Sequence, residues 1–291
     1  MRLGAMMCLA IAACGGRPVA PGNGGRRVVA IAPSLVEIVY ALGRGDRLVG
    51  IDSFTSFPPE ARRLPRVGGL VDPNFELVLS LRPDLVVIES DHERLSSRLR
   101  RAGVDTLALR CQSLGDLDRA IAALGERLDA RERARSLAAR IHDELAAVRS
   151  AAKDGRPVRL LYVIDRQPGA IRDVWAAGGR SFLGEIARVA GGDNVFGDVD
   201  RGALPVSTEL LLASAPEVIF DATRDPAGLE PWKALGALPA VATGRLVDSS
   251  DPIFTIPGPR VPEVARRMLR VLHLSGSATP GVSSPGHARS P

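Results

Sequence analysis

Apolar runs of strand length alternate with amphipathic segments along most of this 291-residue chain. Runs that predict buried strands occur in both halves, at residues 28–32, 48–51, 85–88, 104–109, 158–164, 218–221 and 246–248. Segments with helical spacing follow them, at residues 34–42, 92–102, 117–152, 181–189 and 261–274. Because strands and helices alternate, we expect an α/β protein with mostly parallel sheets.

The first predicted helix directly follows the first predicted strand. Ser34 and Glu37 have the spacing of a capping box, in which the two side chains satisfy backbone N–H groups at the start of a helix. Gly43 then predicts the end of that helix, because glycine readily adopts the left-handed conformation that commonly closes one.

The longest helical pattern lies in the middle of the chain. Residues 117–152 contain no proline and only one glycine, and apolar residues recur at helical spacing in the second part of this segment. We predict that residues 129–155 form one rigid helix, which bridges an N-terminal lobe at residues 26–128 and a C-terminal lobe at residues 156–274. A long helix packed inside one large domain is the alternative.

A weak internal repeat supports two similar lobes. Residues 76–87 (ELVLSLRPDLVV) align with residues 209–220 (ELLLASAPEVIF). Both segments predict a short helix with an acidic residue in its first turn, a turn with proline before an acidic residue, and a buried strand. Since one copy lies on each side of the long helix, we predict a bilobal protein.

The N-terminus has the features of a bacterial lipoprotein signal. The apolar run at residues 3–13 is shorter than the ~20 residues that span a bilayer. Residues 11–14 resemble a lipobox, in which the cysteine, here Cys14, is diacylated and becomes the mature N-terminus. We predict a signal peptide at residues 1–13 and a lipidated, flexible leader at residues 14–25. An ordinary signal peptide that happens to contain Cys14 is the alternative.

Composition argues against several other functions. The sequence pI is near 9.7, but the arginines are scattered and aromatic residues make up only 4%, so we expect no nucleic-acid binding. The sequence has no P-loop, no Gly-x-Ser-x-Gly motif and no His-Glu-x-x-His motif, so we expect no enzymatic activity. Cys111 is the only cysteine in the predicted folded body, and no Cys/His cluster predicts a metal site. Residues 275–291, rich in serine, glycine and proline, predict a disordered tail.

Short motifs in both lobes carry a resemblance to a known family. The N-terminal lobe contains RVVAIAPS at residues 27–34, LVGID at 48–52, FPP at 57–59, VGG at 67–69 and LRPDLV at 81–86. The C-terminal lobe contains GGRSF at residues 178–182, AGGDNVF at 190–196 and PGPR at 257–260. Together they resemble class III periplasmic solute-binding proteins of ABC importers, the receptors for cobalamin, haem and ferric siderophores. The resemblance covers roughly residues 26–274 and is greatest to the cobalamin receptor.

The resemblance implies a fold, a location and partners. The fold would be two Rossmann-like lobes joined by the long rigid helix, with the ligand held in the cleft between them. The protein would be an extracytoplasmic monomer, anchored to the membrane through its lipid, that needs no cofactor because the ligand brings its own cobalt or iron. Glu76 and Glu209 would dock on arginines of the two subunits of an ABC permease that works with its ATPase. The alternative is that both glutamates only complement a helix N-terminus.

The resemblance also implies the ligand-binding residues. From the two lobes these are Pro33, Ser34, Phe54, Leu70, Arg166, Trp175, Asp251 and Phe254. Arg166 is a candidate partner for an anionic group on a chelate. For each of these residues, packing in the core or on the surface is the alternative. His92 is a further candidate contact, with a solvated helix start as its alternative.

Cobalamin is favoured as the ligand, and a ferric siderophore is the alternative. Where the cobalamin receptor has further tryptophans, this chain has Leu70, Glu89 and residues 203–204. Haem is less favoured because Tyr40 and Tyr162 fall within predicted helix and strand segments. Outside this family, the alternatives are an α/β enzyme acting on a nucleotide or sugar, and a chelate-sensing lipoprotein.

Overall fold

The computed structural model describes residues 25–69, 72–90 and 92–274 of the chain. Cys14, the predicted signal peptide, Leu70 and the predicted tail at residues 275–291 lie outside the described residues. Among the residues that the structure describes, none of the helices combines the length and apolar character that crossing a membrane requires.

A four-stranded parallel sheet forms the first half of the molecule, in the order β2-β1-β3-β4. The strands are β1 (Val28–Ile31), β2 (Leu48–Ile51), β3 (Leu85–Glu89) and β4 (Asp105–Leu109). The helices are α1 (Pro33–Ala41), α2 (Phe75–Ser80), α3 (Glu93–Arg101) and α4 (Leu114–Arg127). β1 and β3 are buried almost throughout, as expected of central strands covered on both faces.

The predicted capping box at the start of α1 is wrong. Extended Ala32 precedes the helix and Pro33 occupies its first turn, without a capping hydrogen bond from a side chain. The Ser34 and Glu37 side chains are buried, and Glu37 instead pairs with Arg260 of the second half of the chain. The predicted end of the helix is confirmed, since Gly43 follows it with a left-handed φ of 65°.

The long central helix, α5 (Arg131–Ala152), has 22 residues and a length of about 33 Å. It is separated from α4 by a left-handed residue, Asp129, so the helical pattern of residues 117–152 comprises two helices. The buried face of α5 contains Leu137, Ile141 and Leu145. It packs against α4 on one side and, on the other, against two helices of the second half, α6 (Phe182–Val189) and α9 (Val261–Leu269).

The second half contains a six-stranded sheet, in the order β10-β9-β5-β6-β8 with β7 paired to β5. Its strands are β5 (Val158–Asp165), β6 (Val174–Ala177), β7 (Gly192–Asn194), β8 (Ala203–Val206), β9 (Val218–Asp221) and β10 (Leu246–Asp248). Its helices are α6 (Phe182–Val189), α7 (Thr208–Ser214), α8 (Pro239–Ala242) and α9 (Val261–Leu269), which continues as a π-helical segment, Arg270–Leu274.

Three strands of this sheet were not expected from the sequence. β6, β7 and β8 have only three or four residues each. β7 consists of glycine, aspartate and asparagine, and β8 contains proline, residues that are depleted in strands. β6 runs antiparallel to both β5 and β8, so the sheet is mixed. Pairing with neighbouring strands, and not local propensity, forms β7 and β8.

The internal repeat is confirmed as a structural repeat. Its copies are α2 followed by β3 and α7 followed by β9. Between helix and strand, the residue before proline has a left-handed φ in both copies, 48° at Arg82 and 42° at Ala215. Since non-glycine residues rarely adopt this conformation, its presence at equivalent positions indicates the same turn in both lobes.

Candidate functional site

A cleft lies where the central strands of both sheets reach their carboxyl ends. Loops after β1, β2 and β3 form one wall, and loops after β5, β9 and β10 form the other. The cavity has a volume of about 640 Å³, within the range of about 300–1,000 Å³ typical of small-molecule sites. The carboxyl ends of parallel strands are also where open α/β sheets bind ligands.

The N-terminal wall brings together three of the predicted ligand-binding residues, Pro33, Ser34 and Phe54. Phe54 is 60% exposed, so its ring is available to a ligand. The loop that carries it is fixed by the buried carboxylate of Asp52, which accepts hydrogen bonds from the backbone N–H of Phe54 (2.6 Å) and of Thr55 (2.9 Å). The cleft therefore offers an aromatic face on an ordered loop.

The C-terminal wall offers polar groups that sequence reasoning did not single out. Thr223 is only 7% exposed, and its hydroxyl has no hydrogen-bond partner among the described residues. Arg224 is exposed and is the one cation among the described residues that line the cleft. It forms no ion pair with any of the described residues, whereas Glu89 and Asp165 contribute negative charge nearby. A signal existed in the sequence, since both residues lie within three residues of the end of a predicted strand.

Arg166 does not line the cleft, so its side chain is not placed for the predicted contact with the ligand. Its side chain is fully buried, with Nε 2.7 Å from Oδ2 of Asp221 and Nη1 2.7 Å from Oδ2 of Asp225. Its Nη2 donates to the carbonyl oxygen of Gly228 at 2.8 Å. Through these contacts the guanidinium holds together the segments behind the C-terminal wall.

Asp251 and Phe254 also fail to line the cleft, for a geometric reason. Phe254 belongs to a 3₁₀ turn at Pro252–Thr255, and Asp251 directly precedes this turn. In a 3₁₀ turn, side chains three residues apart lie on the same side. Pro252 and Thr255 line the cleft, while Phe254 is 5% exposed and belongs to the core. The carboxylate of Asp251 accepts from the backbone N–H of Ile253 at 3.1 Å instead of facing a ligand.

Trp175 lies beside the cleft and does not line it. It pairs in register with Asp165, which does line the cleft, across β5 and β6. The indole is 46% exposed. Its position therefore suits a reporter of binding better than a main contact.

An ion pair between the lobes was missed by sequence reasoning. Nε of Arg260, at the start of α9, donates to Oε2 of Glu37 on α1 at 2.9 Å, and Nη2 pairs with the other oxygen. The guanidinium also lies over the ring of Phe57, 4.1 Å from its centroid. Burial raises the pKa of the Glu37 carboxyl above its ordinary value, although the hydrogen bond from Arg260 opposes this effect. A signal was present, since Arg260 ends the PGPR motif and Glu37 lies three residues after the RVVAIAPS motif.

The two predicted docking glutamates occupy equivalent, exposed positions in the repeat. Glu76 lies in the first turn of α2, where Asn74 caps the helix, and Glu209 lies in the first turn of α7, where Ser207 does so. Neither glutamate forms an ion pair with any described residue. Hydrogen bonds from its own backbone N–H and from Ser207 lower the pKa of Glu209, so this carboxylate is fully ionised near neutral pH.

No group of three or more His, Cys, Asp or Glu side chains within the described ranges is arranged to hold a metal ion. The cleft is therefore characterised by its aromatic, hydroxyl and charged side chains.

Known proteins match this chain along most of its length. The family described as "Periplasmic binding protein" matches residues 28–252. The vitamin B12-binding protein of Vibrio cholerae serotype O1 is 27% identical over 252 residues, which are 86% of this chain and 90% of that relative. An uncharacterized ABC transporter substrate-binding lipoprotein of Bacillus subtilis, YvrC, is 27% identical over 246 residues, 82% of this chain and 77% of that relative.

A solved structure shows the same architecture. The periplasmic heme-binding protein RhuT from Roseiflexus sp. RS-1 superposes with a TM-score of 0.73 and 26% sequence identity, covering 86% of this chain and all of that chain. The predicted resemblance and fold class are thus confirmed. The chain belongs to the periplasmic binding proteins, the extracytoplasmic substrate-binding components of transport systems.

Proposed function

We propose that this protein is a lipid-anchored receptor that binds cobalamin in the cleft between its lobes and delivers it to an ABC importer. The observation that carries the proposal is the cleft itself, which lies at the carboxyl ends of both sheets and presents Phe54 and Thr223 from opposite walls. Cobalamin is a large, partly apolar chelate with many amide groups. An exposed ring and an unpaired hydroxyl suit such a ligand.

The lining side chains favour a ligand whose metal is already coordinated. No His, Tyr, Cys or Met is found among the described residues that line the cleft. These are the side chains that commonly supply the axial bond to haem iron. Cobalamin and ferric siderophores carry their metal within a complete set of ligand atoms, so neither requires such a bond from the protein.

A ferric siderophore is the second candidate because Arg224 faces the cleft without an ion-pair partner among the described residues. A guanidinium binds carboxylates and other oxyanions through paired N–H donors. Glu89 and Asp165 line the same cleft and oppose a strongly anionic ligand. The relative named for vitamin B12 and the balance of charge together favour cobalamin.

The test is a titration of the purified protein with cyanocobalamin, a panel of ferric siderophores and haemin, followed by tryptophan fluorescence. Trp175 is exposed beside the cleft, whereas Trp232 is fully buried, so quenching by a bound chelate should come mainly from Trp175. The control is Trp175→Phe, which should bind the same chelate by calorimetry without the optical signal. Absence of binding to every chelate would refute the proposed ligand class.

The lipid anchor has its own test. Cys14 follows the predicted signal, and the matched relative YvrC is described as a lipoprotein. Cys14→Ser should release the protein from the membrane fraction, because two acyl chains provide the stable attachment. Cys8→Ser is the control, since this cysteine lies within the predicted signal peptide and should leave attachment unchanged. Retention of the Cys14→Ser protein would contradict the anchor.

Delivery to a permease is tested through the docking glutamates. Glu76→Lys with Glu209→Lys should abolish chelate transport while the affinity for the chelate stays unchanged, because both residues lie outside the cleft. If transport survives, the assigned docking residues are wrong. If the unaltered protein binds a chelate but supports no transport, a sensing lipoprotein becomes the better interpretation.

A further inference from the structure

The two helices that carry the docking glutamates also expose apolar side chains. Leu77 on α2 is 36% exposed and Leu210 on α7 is 43% exposed, and each directly follows the glutamate of its helix. The two leucines occupy equivalent positions in the repeat. Every other strongly exposed large apolar side chain among the described residues lies at or near the cleft, except Leu212 of α7.

Exposure of these leucines has a cost that the fold does not offset. Burial of a leucine side chain stabilises a protein, and these two leave part of that stabilisation unused. An apolar side chain beside an exposed charge is the arrangement of an interface, where an apolar centre is surrounded by a polar rim. Its occurrence at the same position in both lobes indicates one partner surface present twice.

The helices themselves are held by an equivalent arginine in each lobe. Nη2 of Arg27 donates to the carbonyl oxygen of Leu81 at 2.8 Å, and Nη2 of Arg159 donates to that of Ser214 at 2.6 Å. Leu81 and Ser214 are aligned in the repeat. Arg27 and Arg159 are also equivalent. Each directly precedes a strand residue, and that strand residue pairs with the first residue of the strand after the repeat helix, which is β3 in one lobe and β9 in the other.

These arginines stabilise two helices that are short. α2 has six residues and α7 has seven, which is too short for a helix to be stable by itself. Binding of the terminal carbonyl groups by a cation satisfies acceptors that have no partner within the helix. Each glutamate and leucine therefore stands on a helix fixed to the sheet of its own lobe.

We infer that Leu77 and Leu210 are further docking residues for the proposed permease, each adding an apolar contact beside the glutamate of its own lobe on a helix that an arginine positions. The inference rests on the proposed function and extends it. Each permease subunit would offer a cation to the glutamate and an apolar pocket to Leu77 or Leu210. A second copy of this chain does not fit, because its glutamates would face glutamates.

The test compares two leucine variants. The double variant Leu77→Ser with Leu210→Ser should weaken binding to the cognate permease–ATPase complex in nanodiscs at least tenfold, measured by biolayer interferometry. Affinity for the chelate should not change. The control is Leu212→Ser, since Leu212 is 41% exposed on the same helix as Leu210, while its repeat counterpart, Leu79, is partly buried. It should bind the complex within twofold of the unaltered protein.

The outcomes separate this inference from the proposal on which it rests. If the Leu77→Ser, Leu210→Ser variant binds the complex normally while Glu76→Lys with Glu209→Lys does not, the leucine contribution is refuted and permease docking stands. If the glutamate variant also binds normally, docking through these helices fails altogether. If sedimentation shows a dimer that the leucine substitutions dissociate, the partner is a second copy and the inference is overturned.

Discussion

The ion pair between Glu37 and Arg260 links the two lobes close to the cleft, and its removal is the most informative perturbation of the fold. Ser34 and Pro257 both line the cleft. Glu37 lies one helical turn from Ser34, and Arg260 lies three residues after Pro257. The Glu37 side chain is 2% exposed and the Arg260 side chain 24%. Arg260→Met keeps much of the aliphatic stem and removes the charge.

The expected magnitude follows from what is left behind. Removing one partner of a buried ion pair costs about 3–5 kcal/mol because the other charge remains buried without compensation. Since Arg260 is partly exposed, water can reach its place, and we expect a loss of about 3 kcal/mol in the free energy of unfolding. Loss of the contact with the Phe57 ring adds about 0.5–1 kcal/mol.

The raised pKa of Glu37 determines whether stability rises or falls with pH. Burial raises the pKa of Glu37 above its ordinary value of 4.5, so the folded protein holds this proton to higher pH than the unfolded chain does. The contribution of Glu37 to stability therefore falls as the pH rises from about 4.5 through its folded pKa. Arg260 opposes this rise in pKa, whereas Glu263 adds to it. Without Arg260 the decline should become deeper and extend to higher pH.

The assay is urea unfolding at pH 5 and pH 8, analysed as a double-mutant cycle. Arg260→Met should be destabilised more at pH 8 than at pH 5. Glu37→Gln with Arg260→Met should lose this difference, because the carboxylate is gone. An Arg260→Met protein as stable as the original, or one whose loss is the same at both pH values, would refute the reasoning.

Four further predictions concern the cleft, the core and the docking helices. Phe54→Ala should weaken chelate binding about tenfold without changing the melting temperature, because the ring is 60% exposed; unchanged calorimetric affinity would contradict this. Arg166→Met should lower the free energy of unfolding by about 3–5 kcal/mol, since it leaves buried carboxylates unpaired; weaker ligand binding at full stability would instead place Arg166 in the cleft. Burial raises the pKa of the Cys111 thiol to about 12, so iodoacetamide at pH 8 should modify it only in urea. Arg27→Met with Arg159→Met should weaken permease binding but not chelate binding, and Arg27→Lys with Arg159→Lys should restore part of it; equal binding by all three proteins would exclude a positioning role.

Much of the fold could be predicted because it depends on local patterns. The apolar runs that became β1, β5 and β9, interrupted only by Arg159 in β5, are long enough to be recognised without their neighbours. Strands such as β7 could not be predicted, because three residues containing glycine, aspartate and asparagine form a strand only when β5 offers them a partner. The repeat was readable because proline and the acidic residues keep a fixed spacing.

The candidate site divides in the same way. The sequence by itself determined that residues after the first two strands, such as Ser34 and Phe54, would meet at the cleft, because parallel strands end at one edge of a sheet. Only the tertiary structure decided the direction of individual side chains at the opposite wall. Arg166 points inward because one carboxylate at the end of β9 and one in the loop after it lie 2.7 Å from its guanidinium, and Phe254 points inward because a 3₁₀ turn directs it to the core. The carboxylates that bind Arg166 lie 55 and 59 residues away along the chain, and no local sequence pattern records such contacts.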